Sequence, residues 1–294
     1  MRKHIQKICG VVLLVAGLGF AAGVHSTETR AHSPKQDHFR LIIPVYGPNE
    51  LALVSRYLRA GDMVVLYPPK PELKASGLPQ QPEYWIQMAK DFKAQYPKIE
   101  VIFNFDGIDE LREWTPRLPK EIEWVSYDYE KWEWTPEYGP DQQHTVQNFE
   151  EARRIVHQNK KKLFLTPVPF FSEYLIDWAV KVKYLSERMQ PWDFPTIAAV
   201  GEAFNAQFQY VYQDTKWLES TVRTMSADLR RKSKKTLLFV QLGPGPKASP
   251  IMDGDVREAT ETLRLAGADG VVLWFGPGRS NWAARILPLI RETR

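Results

Sequence analysis

Two acids one residue apart, Asp128 and Glu130, close the run Ile122-Glu123-Trp124-Val125-Ser126-Tyr127-Asp128-Tyr129-Glu130-Lys131-Trp132. Val125, Tyr127 and Tyr129 favour an extended backbone, and strand residues two apart point the same way. The two carboxyls therefore share a face, with Ser126 behind them. Neighbouring carboxylates repel, so one of them tends to keep its proton towards neutral pH. A protonated carboxyl beside an ionised one is the equipment for cleaving a glycosidic bond. The competing reading is two solvated acids in a strand-to-loop turn, the commoner meaning of an arbitrary D-x-E. The elements that carry the pair decide between them.

Those elements alternate along the chain. Strands are expected at Leu41–Tyr46, Met63–Tyr67, Glu100–Phe105, Ile122–Tyr129, Lys162–Pro167, Gln207–Tyr212, Thr236–Leu242 and Gly270–Phe275. They are rich in Val, Ile, Leu, Phe and Tyr without strict polar alternation, as in parallel strands covered on both faces. Helical patterns lie between them, at Glu50–Arg59, Glu83–Tyr96, Asn148–Asn159, Ser172–Met189, Asp214–Ser233, Asp255–Leu265 and Asn281–Glu292. Asn148 and Ser172 are expected as N-caps. Asp109–Pro119 carries two prolines and has room for a short helix only. Eight strand–helix units over residues 39–294 predict an α/β fold, a single (β/α)8 TIM barrel. A glycine-rich phosphate turn, the usual mark of a doubly wound sheet, is missing after the first strand, where Gly47-Pro48-Asn49 stands instead.

Chemistry in such barrels sits at the carboxyl ends of the strands. The residues expected there are Tyr46, Tyr67, Asn104, Asp106, Asp128, Glu130, Thr166, Gln209, Tyr210, Tyr212, Gln213, Gln241 and Trp274. Gln209 and Tyr210 cannot both face the interior of a regular strand. The set is polar and aromatic and has no histidine, which argues against a histidine-ligated metal hydrolase and against a Ser-His-Asp triad. No metal and no cofactor are expected. Tyr212 has an alternative use as a plug of the barrel mouth, and Trp274 as core. Trp132, Trp134 and Tyr138 make the loop after Glu130 aromatic, which suits stacking on sugar rings or packing down as a lid.

The remaining composition fixes the setting. Residues 1–26 combine a basic start (Arg2, Lys3, Lys7) with an apolar run from Ile8 to Val24, and Val24-His25-Ser26 offers a cleavage site. An export signal and an uncleaved anchor are both open readings. Each places the barrel outside the cytoplasm, secreted or periplasmic, with membrane contact only through residues 1–26. Residues 27–38 form a polar leader. The single cysteine, Cys9, lies in the apolar run, so the mature domain has no thiol chemistry and no disulfides. The net charge is +4, of which Arg2, Lys3 and Lys7 supply three, and residues 1–26 hold no acid; the mature chain is left at +1. That gives no electrostatic case for a nucleic-acid partner. A carbohydrate partner and a monomeric state are expected, and the ten tryptophans and 12 tyrosines fit either sugar stacking or a filled core.

With these residues in place, the chain resembles glycoside hydrolase barrels of the chitinase-like family 18 and the hyaluronidase-like family 56. The strand-four pattern D-G-x-D-x-D-x-E of chitinases runs here from Glu123 to Glu130. Asp128 and Glu130 match its last two acids, while Ser126 replaces the middle one and Glu123 the first. Asp128-Tyr129-Glu130-Lys131-Trp132 is similar to the shorter hyaluronidase form. Tyr210-Val211-Tyr212-Gln213 is similar to the strand-six M-x-Y-D/N pattern, and Trp274 stands where both families place a tryptophan. The resemblance implies retaining hydrolysis of an N-acetylated polysaccharide with acetamido participation. In it Glu130 is the acid, Asp128 and Tyr212 hold the acetamido group, and Trp274 floors the sugar site. Tyr46, Asp106, Gln209 and Gln241 complete the expected substrate contacts. The loss of the middle acid at Ser126 leaves a second reading, a catalytically inactive barrel that binds glycans in exopolysaccharide assembly or export. A third is a metal-assisted lyase or phosphodiesterase.

Overall fold

The computed structural model describes residues 39–68, 81–130, 135–137, 142–167, 193–208, 214–244, 252–276 and 280–292. Eight parallel strands hydrogen-bond in sequence order and the eighth returns to the first, closing a barrel. They are β1 (Arg40–Val45), β2 (Met63–Leu66), β3 (Glu100–Phe105), β4 (Trp124–Tyr129), β5 (Lys162–Pro167), β6 (Ala203–Gln207), β7 (Leu237–Leu242) and β8 (Gly270–Leu273). The closing seam pairs Arg40 with Gly270 and Ile42 with Val272. The expected (β/α)8 barrel is the fold observed.

Alternation along each strand separates two cores. Ile42, Met63, Val65, Ile102, Trp124, Phe164, Ala203, Phe239 and Val272 fill the barrel interior. The residues between them, such as Leu41, Val64, Val101, Val125, Leu163, Phe204, Leu238 and Val271, meet the surrounding helices in the larger cluster. This two-sided burial is why the strands read as apolar runs.

The helices are α1 (Pro48–Ser55), α2 (Pro82–Gln95), α3 (Ile108–Trp114), α4 (Gln142–Gln158), α5 (Phe194–Ala198), α6 (Thr215–Lys232), α7 (Asp253–Ala266) and α8 (Ser280–Glu292). Asp214 caps α6 by accepting from Trp217 N at 3.0 Å. Gly267, at φ 91°, ends α7 in the left-handed conformation that glycine adopts without strain. Below the barrel, α8 is tied to β1 by fully buried Asp62. Its carboxylate accepts from Leu41 N at 2.9 Å, Arg59 N at 2.7 Å and Arg291 at 2.7 Å. Among the described residues, no helix is long and apolar enough to cross a membrane.

Two expectations are corrected. Strand six is Ala203–Gln207, not Gln207–Tyr212; Gln207 ends the strand instead of opening it. The barrel interior explains the choice. Phe164 and Phe239 approach across β6 with ring centroids 5.5 Å apart, so β6 must offer a small side chain there, and Ala203 does. By propensity alone the aromatic stretch downstream is the more strand-like of the two. The second correction concerns Asn148, which lies inside α4 and not at its start. Its Nδ2 instead donates to the carbonyl of Glu137 at 2.8 Å and faces Tyr129 Oη at 3.4 Å. The expected helix Ser172–Met189 falls outside the described residues.

Candidate active site

Inward-facing residues at the carboxyl ends of the strands change from apolar to polar. Ser126 and Asp128 follow Trp124 on one face of β4, as period two requires, and Glu130 comes next in that series, one residue past the strand. Ser126 Oγ lies 3.3 Å from Thr166 Oγ1 on β5. Asp128 is buried, and in the ladder it stands opposite Thr166. Glu130 follows the last laddered residue, Tyr129, whose partner is Pro167. Its Oε1 accepts a hydrogen bond from Gln207 Nε2 at 3.0 Å.

The neighbouring strand supplies a third acid. Asp106, just past β3, is buried and accepts from Asn104 Nδ2 at 2.8 Å. Its backbone N–H donates to Glu110 on α3 at 3.1 Å, and its carbonyl accepts from Thr135 at 2.7 Å. Thr135 also reaches the carbonyl of Asp128 at 3.3 Å, so one hydroxyl joins the ends of β3 and β4. Two residues on, Glu137 accepts from Tyr127 Oη at 2.6 Å and from Ile108 N at 2.7 Å. Residues 135–137 thereby fasten the return of the β4–α4 connection to the barrel top.

Burial dominates the electrostatics of Glu130. Desolvation pushes its carboxyl above the ordinary carboxylate range, and the negative charge of Asp106 pushes the same way. The Gln207 amide opposes them by hydrogen-bonding the charged form. Tyr46 and Tyr67 line the other side of the mouth, their rings stacked at 5.2 Å. Burial raises both phenols far above their usual value, and the nearby charges of Asp128 and Glu130 add to it. For Tyr46 the neighbouring Trp274 indole pulls the other way, in part offsetting burial. Gln241 closes the ring from β7, accepting from Asn205 Nδ2 at 2.7 Å.

Of the expected site residues, Glu130, Asp128, Asp106, Tyr46, Gln241 and Trp274 stand on the strand ends of one barrel mouth. Tyr46, Asp106, Asp128 and Glu130 interact electrostatically there. Tyr212 and Gln209 lie outside the described residues, as do Tyr210, Gln213, Trp132, Trp134 and Tyr138. Gln207 and Asn205 were missed as contributors. Their signal is the alternation Ala203-Phe204-Asn205-Ala206-Gln207-Phe208, which puts small and polar residues on one face. Two acceptors in this tier, Asn104 Oδ1 and Asn205 Oδ1, are buried without a hydrogen-bond partner among the described residues. Among those residues, no three His, Cys, Asp or Glu side chains converge as a metal-ligand set.

No protein-family model matches the chain, and no curated protein matches it in sequence. Solved structures match its fold. The endo-β-1,4-mannanase from Thermotoga petrophila aligns at TM-score 0.59 and 11% identity, covering 87% of this chain and 76% of the mannanase. Active domain 2 of the chitinase from Pyrococcus furiosus aligns at TM-score 0.54 and 12% identity, covering 87% of this chain and 95% of that one. The β-methylaspartase from Clostridium tetanomorphum, in its Mg complex, aligns at TM-score 0.50 and 9% identity, over 87% of this chain and 58% of that one. The chain is thus a TIM barrel whose structural neighbours include glycoside hydrolases. At these identities the likeness concerns the fold, and a barrel of this kind hosts more than one chemistry.

Proposed function

We propose that this protein is an exported glycoside hydrolase that cleaves an N-acetylated polysaccharide with retention, using the substrate's acetamido group. The observation that carries the reading is Glu130: a carboxyl at the barrel mouth, held above the ordinary range by burial, two residues after Asp128 at the end of β4. A general acid must be protonated at working pH, and this environment favours that state.

The arrangement of acids supports the choice of mechanism. Asp106, Asp128 and Glu130 come from neighbouring strands, and the end of β7 presents Gln241 instead of an acid. Acid and nucleophile must act on opposite sides of the scissile bond. Two carboxyls on one strand approach the sugar from one side, so the nucleophile is better supplied by the sugar itself. In this reading Glu130 gives its proton to the leaving oxygen. The acetamido carbonyl oxygen then attacks the anomeric carbon to form a cyclic oxazolinium. Water opens that ring while the Glu130 carboxylate takes the water's proton back. Asp128 orients the acetamido N–H, Tyr212 hydrogen-bonds its carbonyl, and Trp274 floors the sugar. Tyr46, Asp106, Gln209 and Gln241 bind hydroxyl groups.

One observation favours a second reading. Ser126, at the position of the middle acid, is hydrogen-bonded to Thr166 and brings no carboxylate for proton cycling. A barrel that binds glycans without turnover would tolerate this. Hydrolysis of 4-methylumbelliferyl N-acetylglucosaminides and of hyaluronan by the wild type, abolished in Glu130→Gln, supports the hydrolase. Glycan binding without turnover, unchanged in that variant, selects the second reading. Activity lost on chelation with EDTA would point to a metal-dependent enzyme.

A further inference from the structure

Glu130 is poorly fixed by its own backbone. The β4–β5 ladder ends at Tyr129 and Pro167, so Glu130 lies one residue beyond the last paired position. The hydrogen bond that holds its carboxyl comes from across β5. Gln207 Nε2 reaches Glu130 Oε1 at 3.0 Å and the Pro167 carbonyl at 3.0 Å. One amide nitrogen has two hydrogens, and here each has its acceptor. Gln207 is itself well anchored. It is buried, it is in register with Gln241, and the next N–H, of Phe208, donates to the Gln241 carbonyl at 2.9 Å. The amide thus spans three strand ends, β4, β5 and β6, and converts the position of Pro167 into a position for Glu130.

We infer that Gln207 is the positioning residue of Glu130, fixing which of its two carboxyl oxygens faces the cleft. With Oε1 occupied as an acceptor from Gln207, the carboxyl proton resides on Oε2, the oxygen left to donate. After proton transfer the same N–H stabilises the buried carboxylate until it is reprotonated. The other groups facing Glu130 are of a different kind. Asp106, just past β3, repels the ionised form, Asp128 precedes Glu130 by two residues on its own strand, and Tyr46 and Tyr67, just past β1 and β2, are phenols kept neutral by burial. β5, β7 and β8 present Thr166, Gln241 and Trp274, which carry no charge. Among the described residues, Gln207 is therefore the contact that favours the ionised form, against burial and Asp106. This inference takes from the proposed function only that Glu130 acts as the acid.

The test follows the Glu130 carboxyl itself. Wild type, Gln207→Met and Glu130→Gln are labelled with ¹³C at the glutamate carboxyl and titrated by NMR, the last variant assigning the signal. Gln207→Met preserves length and removes the donor. Its Glu130 midpoint should move to higher pH, and the alkaline limb of kcat should move with it. kcat should fall on the order of 10-fold or more, the effect of losing a hydrogen bond to a charged group, with KM changed less than about twofold. An unmoved or lowered midpoint overturns the inference whatever the activity does. If the wild type hydrolyses no glycan, the proposed function falls while the titration still decides the role of Gln207. Should Gln207→Met not fold, the wild type suffices. The Gln207 side-chain amide signals, from ¹⁵N-glutamine labelling, should follow the Glu130 midpoint, and amide signals indifferent to it overturn the inference.

Discussion

Gly270→Ala places a methyl group at the seam where the barrel closes. A Cβ built on Gly270 lies 2.3 Å from the Arg40 carbonyl oxygen and 2.7 and 2.9 Å from Cε1 and Cδ1 of the Phe239 ring. The ring could turn aside, but the carbonyl cannot. Arg40 pairs with Gly270 in the β1–β8 ladder, and its N–H is fixed to the Asp269 carbonyl at 3.0 Å. Overpacking usually costs about 1–3 kcal/mol. A backbone oxygen at this distance puts the cost at the upper end, roughly 3 kcal/mol or more. For a domain of this size, 1 kcal/mol corresponds to about 2–4 °C, so thermal unfolding should occur some 6–12 °C earlier. The double variant Gly270→Ala/Phe239→Leu separates the two contacts. It frees the ring but not the carbonyl, so it should recover little. Circular-dichroism melting of the three proteins is the assay. A Gly270→Ala melting temperature within about 2 °C of the wild type, or full recovery in the double variant, would refute the seam as described.

Three other outcomes follow from the same geometry. Asp106→Asn removes a negative charge that raises the Glu130 carboxyl, so the alkaline limb of kcat should move to lower pH; a limb that stays or rises contradicts the pairing. Because burial raises the folded-state value of Glu130, its contribution to stability is present below the unfolded value near 4.5 and lost as pH rises through the folded value. Glu130→Gln should therefore melt above the wild type at pH 8, by a margin that shrinks towards pH 4, and a margin of the opposite trend would be wrong. Asp62→Asn turns an amide towards the Arg59 N–H and Arg291, and breaking that buried pair should cost about 3–5 kcal/mol in urea unfolding. A loss below about 1 kcal/mol would show that α8 is held otherwise.

The strands were legible where burial on both faces left an unbroken apolar run. β3 and β5 coincide residue for residue with the expected Glu100–Phe105 and Lys162–Pro167. β6 was not legible, because its inward residues Ala203, Asn205 and Gln207 answer to rings and polar groups on other strands rather than to strand propensity. Asn148 looked like a cap because its local sequence fits one. Its hydrogen bonds to the Glu137 carbonyl and Tyr129 arise only in three dimensions. At the mouth, Asp128 and Glu130 could be placed together from period two alone, and Tyr46, Asp106, Gln241 and Trp274 from being strand ends. The contact between Gln207 and Glu130 spans 77 residues, and no local pattern encodes it. The same applies to Thr135 and Glu137, which tie the loop after Glu130 to β3, β4 and α3.

The proposed hydrolysis requires the Glu130 carboxyl to perform acid catalysis. Steady-state hydrolysis of a 4-methylumbelliferyl N-acetylglucosaminide by wild type and Glu130→Gln, with both folds verified, measures this directly. Turnover by the wild type that falls on the order of 10²–10⁴-fold in kcat, with substrate still bound, is the predicted result. Turnover by Glu130→Gln within about threefold of the wild type would contradict it.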